Sequence, residues 1–424
     1  MRPAPRRLST PAEPTADRAA MLRACLLAAT VLGVPPALGP AAAEACPFCA
    51  APSLTLSQQI DQADAAVLAV WKSAEEATSE SVARTVFEVV TQLKGRADGE
   101  IRVPVYRAGE PGALFLVLAT DENRPDDESD ESDEDASDET STDLAIVKYR
   151  WSGPVEISEA AAEYVRGLPA ADASKQERLG YFLQFLEHDD ETVSLDAYSE
   201  FAGASYDDVV PLAREMDPAK LRRWISEGEV TPTRLGLYGM MLGLAGDESD
   251  AEAMREIITA ETDDFRLGID GIMGGYVLLA GEEGLQTIEQ TKLLETAVPF
   301  SETYAAMQAL RFLWQYAEVL PKDRLKQSMR LLLERPELAD LVIADLARWK
   351  DWSLIDSLDE YYDKPGYEVP AIRRAIIRFY LAATKTKNDP PSEEAQQVAE
   401  KKLETFEQND PKTFASAKRF FFVE

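Results

Sequence analysis

A single histidine, His188, and three cysteines are all the imidazole and thiol chemistry that 424 residues contain. One histidine excludes a His-rich metal centre. A Ser-His-Asp triad would have to use His188, which opens the acidic stretch His188-Asp189-Asp190-Glu191 with no nucleophile-elbow sequence beside it. Cys25 falls in an apolar N-terminal run, which leaves only Cys46 and Cys49 for the rest of the chain. Two thiols supply half of a structural zinc site, and haem attachment would need histidine at position 50, where alanine stands. Positive charge is scarce too: 44 Lys and Arg face 76 Asp and Glu, for a net charge of -32. Such a surface repels nucleic acid, whose binding needs cations to neutralise phosphate, and favours basic or cationic partners. No cofactor signature stands anywhere in the chain.

What is present begins with an export signal. Arg2, Arg6, Arg7, Arg18 and Arg23 precede the apolar run Ala24–Val34, which Pro35-Pro36 breaks and Ala41-Ala42-Ala43 and Ala45 follow. A basic segment, a short apolar segment and small residues at the cut predict a secretory signal peptide over residues 1–45, starting at Met1 or Met21 and cut after Ala43 or Ala45. The run is too short and too Pro-broken to span a bilayer core of about 30 Å. An exported protein, periplasmic or extracellular, is the expectation, with lipid anchoring at Cys46 as the alternative. In an oxidising compartment Cys46 and Cys49 predict a local disulfide closing an N-terminal turn.

Residues 46–168 read as β-rich. A short helical segment at Leu56–Ala63 is followed by apolar or alternating runs at Ala66–Trp71, Val82–Leu93, Ile101–Val105, Leu114–Leu118 and Leu144–Tyr149. Pro104 places the third run at an edge. Five short strands predict a small antiparallel barrel of OB type or a sandwich. Between the last two runs, Asp121–Asp143 holds 13 acidic residues and one arginine. Self-repulsion predicts a disordered acidic insertion over residues 120–143. Its carboxylates at Asp126, Asp127, Glu128, Asp130, Glu131, Asp133, Glu134 and Asp135 form a candidate weak Ca²⁺-collecting tract, without EF-hand spacing or its glycine turn.

From residue 169 to 408 the period becomes helical, with about a dozen helices expected and a C-terminal tail over residues 409–424. Leu179, Phe182, Leu183 and Leu186 make one stripe, and Val193, Ala197 and Phe201 continue it. Ser301 reads as an N-cap; Pro321 and Pro336 read as first helical residues; Leu338, Leu341, Val342 and Leu346 read as a buried stripe. Arg234-Leu235-Gly236-Leu237-Tyr238-Gly239 recurs as Arg266-Leu267-Gly268-Ile269-Asp270-Gly271, and Leu244-Ala245-Gly246-Asp247-Glu248 as Leu279-Ala280-Gly281-Glu282-Glu283. These offsets suit a helical hairpin repeat. The glycines cost about 1 kcal/mol each inside helices relative to alanine, so close helix approach is the expected reason for them.

Several resemblances attach to these residues. Ala63-Asp64-Ala65-Ala66-Val67, Thr85–Val90 running into Leu93-Lys94-Gly95, and Gly112 before Leu114–Leu118 resemble the netrin-like module, an OB-type barrel shared with tissue inhibitors of metalloproteases. That resemblance implies a barrel, and an inhibitor presenting Cys46 to a protease zinc, although this chain has Cys-x-x-Cys where the inhibitors have Cys-x-Cys. Cys-Pro-Phe-Cys is similar to the glutaredoxin redox motif but lacks the preceding strand. Leu186–Ala197 and Val369–Ile376 resemble HEAT-type turns opening a second helix, which implies an α-solenoid and no activity. The whole chain resembles a bacterial exported family with this Cys-Pro-Phe-Cys start, which likewise implies no activity.

The expected fold is therefore α+β and multidomain: an OB-like β barrel, then a HEAT-like all-α array. The expected function is a non-catalytic scaffold binding a protein or envelope component. A netrin-like inhibitor and a carboxylate-based hydrolase are the alternatives. Trp349-Lys350-Asp351-Trp352 with Tyr361-Tyr362 could stack a sugar for the hydrolase, or belong to the core.

Overall fold

The computed structural model describes residues 46–49, 54–79, 81–122, 148–228, 230–262, 264–419 and 421. The expected signal peptide and all eight carboxylates of the candidate calcium tract lie outside these residues. The described chain belongs to one compact unit within Glu44–Glu424.

The architecture is α+β. Helix α1 (Leu56–Gln62) precedes strands β1 (Ala65–Glu75), β2 (Arg84–Lys94), β3 (Glu100–Val103), β4 (Leu114–Asp121) and β5 (Tyr149–Glu156). Then come α2 (Glu159–Arg166), α3 (Lys175–Leu183), α4 (Glu191–Gly203), α5 (Tyr206–Val209), α6 (Pro218–Ser226), α7 (Leu235–Ala245) and α8 (Glu248–Thr259). The rest are α9 (Ile269–Ile288), α10 (Phe300–Tyr316), α11 (Lys322–Leu331), α12 (Ala339–Arg348), α13 (Pro370–Lys385), α14 (Glu393–Asn409) and α15 (Pro411–Arg419).

The strands form one antiparallel sheet in the order β3-β2-β1-β4-β5. It is open: among the described residues no hydrogen-bonded ladder joins β3 to β5. Alternation along a strand sends successive side chains to opposite faces, and here both faces are covered. Ala65, Val67, Ala69, Phe115, Val117 and Ala119 pack with Phe87, Ile101 and Trp151 in one cluster. Ala66, Leu68 and Leu116 face the helices instead. That double burial explains why β1 reads as a continuous apolar run.

Strand boundaries differ from expectation: β1 runs on to Glu75, and β3 stops at Val103. Thr120 and Asp121 belong to β4 and not to an insertion. The last strand starts at Tyr149, where the expected one ended, and Leu144–Val147 lie outside the described residues. Gly153 and Pro154 look like a break, but β5 is an edge strand. Its register slips there, from Leu118 opposite Ser152 to Leu116 opposite Val155, which spares Pro154 the N–H it lacks.

The helices share one core with the sheet, running from Ala66 and Leu68 to Phe414 and Ala417. Val193, Ala197 and Phe201 are fully buried on α4, as their spacing predicts. The repeated glycines lie where α7 crosses α9. A Cβ on Gly271 would stand 2.1 Å from the Gly236 carbonyl oxygen, and one on Gly243 would stand 2.4 Å from Gly275 Cα. The second repeated segment behaves differently in its two copies. At Gly246 the chain leaves α7, and Asp247 caps α8 by accepting from Ser249 and Asp250 N–H. At Gly281 the helix α9 bends through a φ of 55°, a value that favours glycine.

Other helix starts differ. Helix α10 begins at Phe300 after Pro299, so Ser301 stands inside its first turn. Pro321 is the N-cap of α11, and Pro336 sits in the turn before α12. The segment expected as a tail holds α15, with Phe414 and Ala417 buried. Leu341 is exposed, unlike Leu338, Val342 and Leu346 of its stripe.

Candidate functional site

Leu341 is exposed because it stands in a groove of about 1300 Å³ between α12 and α13. Each helix buries one face: Val342, Ile343 and Leu346 on α12, and Ile372, Ile376 and Tyr380 on α13. The opposite faces meet across the groove. From α12 come Leu341, Ala344, Ala347 and Arg348, at spacings of three and four residues. From α13 come Ala371, Arg374, Ala375, Arg378, Ala382 and Lys385 on the same kind of stripe. Leu341, five alanines, Phe379 and Phe421 give the groove its apolar lining, and six Lys and Arg side chains give it positive charge.

The charge of this groove opposes that of the chain. Arg348, Lys350, Arg374, Arg378, Lys385 and Lys387 line it against a single carboxylate, Asp340. Of the six cations only Arg348 has an ion-pair partner among the described residues, Asp345 at 3.2 Å. Arg378 donates to the Ala417 carbonyl at 3.2 Å, which ties α13 to α15, and Lys385 lies 5.2 Å from the centre of the Phe421 ring. Lys350 holds its place through a left-handed backbone, φ 55°, while Asp351 N–H closes back onto the Leu346 carbonyl at 2.9 Å. Elsewhere among the described residues most basic side chains are paired with carboxylates, so a cluster of six cations with one ion pair marks a surface available to an anion.

The residues singled out from sequence lie elsewhere. Cys46 and Cys49 form a disulfide with Cα atoms 5.4 Å apart. Cys46 is buried and its N–H donates to the Ala202 carbonyl at 3.1 Å. Phe48, between them, packs its ring 4.7 Å from Phe312 and against Gly274. His188 sits in the turn before α4, where its Nδ1 accepts from Asp190 N–H. Trp349 is stacked on Trp314 at 4.3 Å, and Asp351 accepts two bonds of 2.6 Å from Arg330. Trp352 donates its indole N–H to the Asp389 carbonyl. Tyr362 is buried, and Tyr361 donates to Glu334. Each of these aromatics packs on a ring outside the group: Trp352 on Phe379, Tyr361 on Tyr367 and Tyr362 on Phe406.

Among the described residues, no group of three or more His, Cys, Asp or Glu is placed to hold a metal, and no helix is long and apolar enough to cross a membrane. Compared with known protein families, curated proteins and solved structures, the chain matches none.

A second cluster of ionisable groups joins α1 to α4. Asp196 accepts from Leu56 N–H at 2.7 Å and from the Tyr164 hydroxyl at 2.8 Å. Glu200, one turn on, accepts from the Thr55 hydroxyl at 2.6 Å and from Ser57. Burial pushes the Asp196 carboxyl up to about 6, against the opposing bonds from Leu56 and Tyr164, and the nearby Glu200 adds to the rise. A carboxyl raised on folding favours the fold when protonated. Its contribution is full below about pH 4 and is lost as pH rises through 6. Urea unfolding should therefore show Asp196→Asn gaining on the wild type by about 2–3 kcal/mol between pH 4 and 7. Parallel stability profiles for the two proteins would refute this assignment.

Proposed function

We propose that the chain is an exported, non-catalytic binding scaffold that holds a protein or cell-envelope component against its helical surface, at the α12–α13 groove. The observation that carries this is a groove of apolar lining and six cations, five of them without an ion pair among the described residues, on a chain of net charge -32. The α7–α8 hairpin and the two halves of α9 support a HEAT-like repeat array, an architecture that offers extended surfaces. The strand order, with Cα atoms of β3 and β5 approaching within 8 Å, supports a partly open OB-type barrel.

Two other functions fare worse. A netrin-like inhibitor needs the Cys46 amine free for a protease zinc, whereas Cys46 is buried with its nitrogen bonded to Ala202. A carboxylate-based hydrolase needs paired acids in a cleft, and the groove carries Asp340 alone. Affinity capture from the native envelope tests the scaffold. The wild-type chain should retain a defined partner that a chain with Arg374→Glu and Lys387→Glu does not. Identical recoveries from the two baits would refute the groove as the binding surface.

A further inference from the structure

We propose that the α12–α13 groove recognises an acidic amphipathic α-helix, presented by a partner polypeptide, whose small apolar stripe seats on the groove's alanines while its flanking carboxylates meet the groove's cations. The proposal rests on the scaffold function and names the chemistry of what the scaffold holds.

Geometry favours a helix over an extended segment. The lining of α13 runs from Ala371 to Lys385, about 21 Å or four turns at 1.5 Å per residue. Both walls are helices whose main-chain groups are bonded internally, so an incoming strand would find no ladder to join and would leave its own backbone polar groups unsatisfied. A helix brings its backbone already satisfied and needs only a side-chain surface. Ala344, Ala347, Ala371, Ala375 and Ala382 leave the room for one, because small residues allow helix axes to approach to about 8 Å.

Charge selects the partner. Arg374 and Arg378 are one turn apart on α13, and Arg348 and Lys350 stand at the end of α12. Carboxylates spaced three or four residues apart on each side of an apolar stripe would meet both sets of cations together. A polyanion longer than the groove is disfavoured, since it would continue onto a chain bearing a net charge of -32.

The test uses the chain from Cys46 onward and a fluorescent helical peptide of about 16 residues, enough for four turns, with alanine and leucine on one stripe and glutamate flanking it. Fluorescence anisotropy should show saturable binding that weakens with salt. Arg374→Glu with Lys387→Glu should weaken it at least tenfold, and neither residue has an ion pair whose loss would unsettle the fold. Ala375→Phe, which enlarges the apolar lining and leaves every charge in place, should weaken it comparably. Lys148→Glu with Arg150→Glu, exposed on the sheet, should leave it unchanged. Equal binding by a scrambled peptide of the same composition, by single-stranded DNA or by phosphatidylglycerol vesicles would overturn the helix in favour of a general anion surface. Insensitivity to Ala375→Phe would overturn seating on the alanines. If the peptide fails while envelope capture still returns a groove-dependent partner, the acidic helix is wrong and the scaffold stands. If both fail, neither stands.

Discussion

Gly275→Ala is expected to cost about 3 kcal/mol of folding stability, a large share of a total of about 5–15 kcal/mol. Propensity alone argues the other way, because alanine inside a helix is favoured over glycine by about 1 kcal/mol. Packing reverses the sign. A Cβ at position 275 would stand 2.0 Å from the Gly239 carbonyl oxygen and 2.8 Å from its carbonyl carbon. Both obstacles are backbone, so no side-chain rotation relieves them and α7 and α9 must move apart. That separation opens voids around Met240, Met241, Ile272 and Met273, all buried at the crossing, and voids in a close-packed interior forfeit dispersion contacts over the whole interface. Gly180→Ala in α3 is the control. Its new Cβ would meet Glu215 Oε2 at 3.1 Å, the far end of a flexible side chain that can swing away. There the propensity gain should survive, leaving stability unchanged or up to about 1 kcal/mol higher. Urea unfolding of both variants decides the matter. A Gly275→Ala protein as stable as the wild type would remove close helix approach as the reason for the glycine pattern.

That crossing was legible in the sequence because it is written twice. Residues 234–243 and 266–275 each place glycines three or four residues apart, and only a shared packing demand makes so costly a pattern recur. The arginine that opens each copy has a like role in both. Arg234 donates to the Leu186 carbonyl and Glu187, and Arg266 donates to the Ile257 carbonyl and Glu302. The strands were legible for a different reason, since alternation and β-branched runs survive in β1 to β4. What failed were signals that depend on a neighbour. The last strand is expected at Leu144–Tyr149, whereas β5 runs Tyr149–Glu156 and takes in Gly153-Pro154 through the slipped register of an edge strand. Leu341 reads as core because periodicity reports which residues share a face, and not whether anything covers that face. The groove was illegible for the same reason. Val369–Ile376 was visible as a helix opening, but nothing local says that its solvent face looks across at α12, which ends 21 residues before Val369. The chemically suggestive residues, Cys46, Cys49, His188 and Trp349, have structural roles, while the candidate site is built from alanines and cations that no motif describes.

Glu302→Ala should destabilise the protein by about 3–5 kcal/mol, the range for removing one partner of a buried ion pair. Glu302 is 2% exposed and Lys292 is 5% exposed. The Glu302 carboxylate accepts from Lys292 Nζ at 2.9 Å and from Arg266 Nε at 2.9 Å. Burial pushes this carboxyl up, but the bonds from Arg266 and Lys292 outweigh it and hold the group below its ordinary value. Its contribution therefore runs opposite to that of Asp196: it is present above about pH 4 and is lost as pH falls through the depressed value. In the alanine variant Arg266 keeps the Ile257 carbonyl at 2.6 Å, whereas Lys292 loses the only carboxylate within salt-bridge distance among the described residues. The cost is thus that of an orphaned buried ammonium more than that of a small cavity. A second substitution separates the two. Adding Lys292→Met removes the uncompensated charge at nearly constant volume, so the double variant should recover most of the loss even though the space left by Glu302 remains. No recovery in chemical unfolding would assign the loss to the cavity or to Arg266, and would show that the Lys292 charge is relieved by solvent reaching the site.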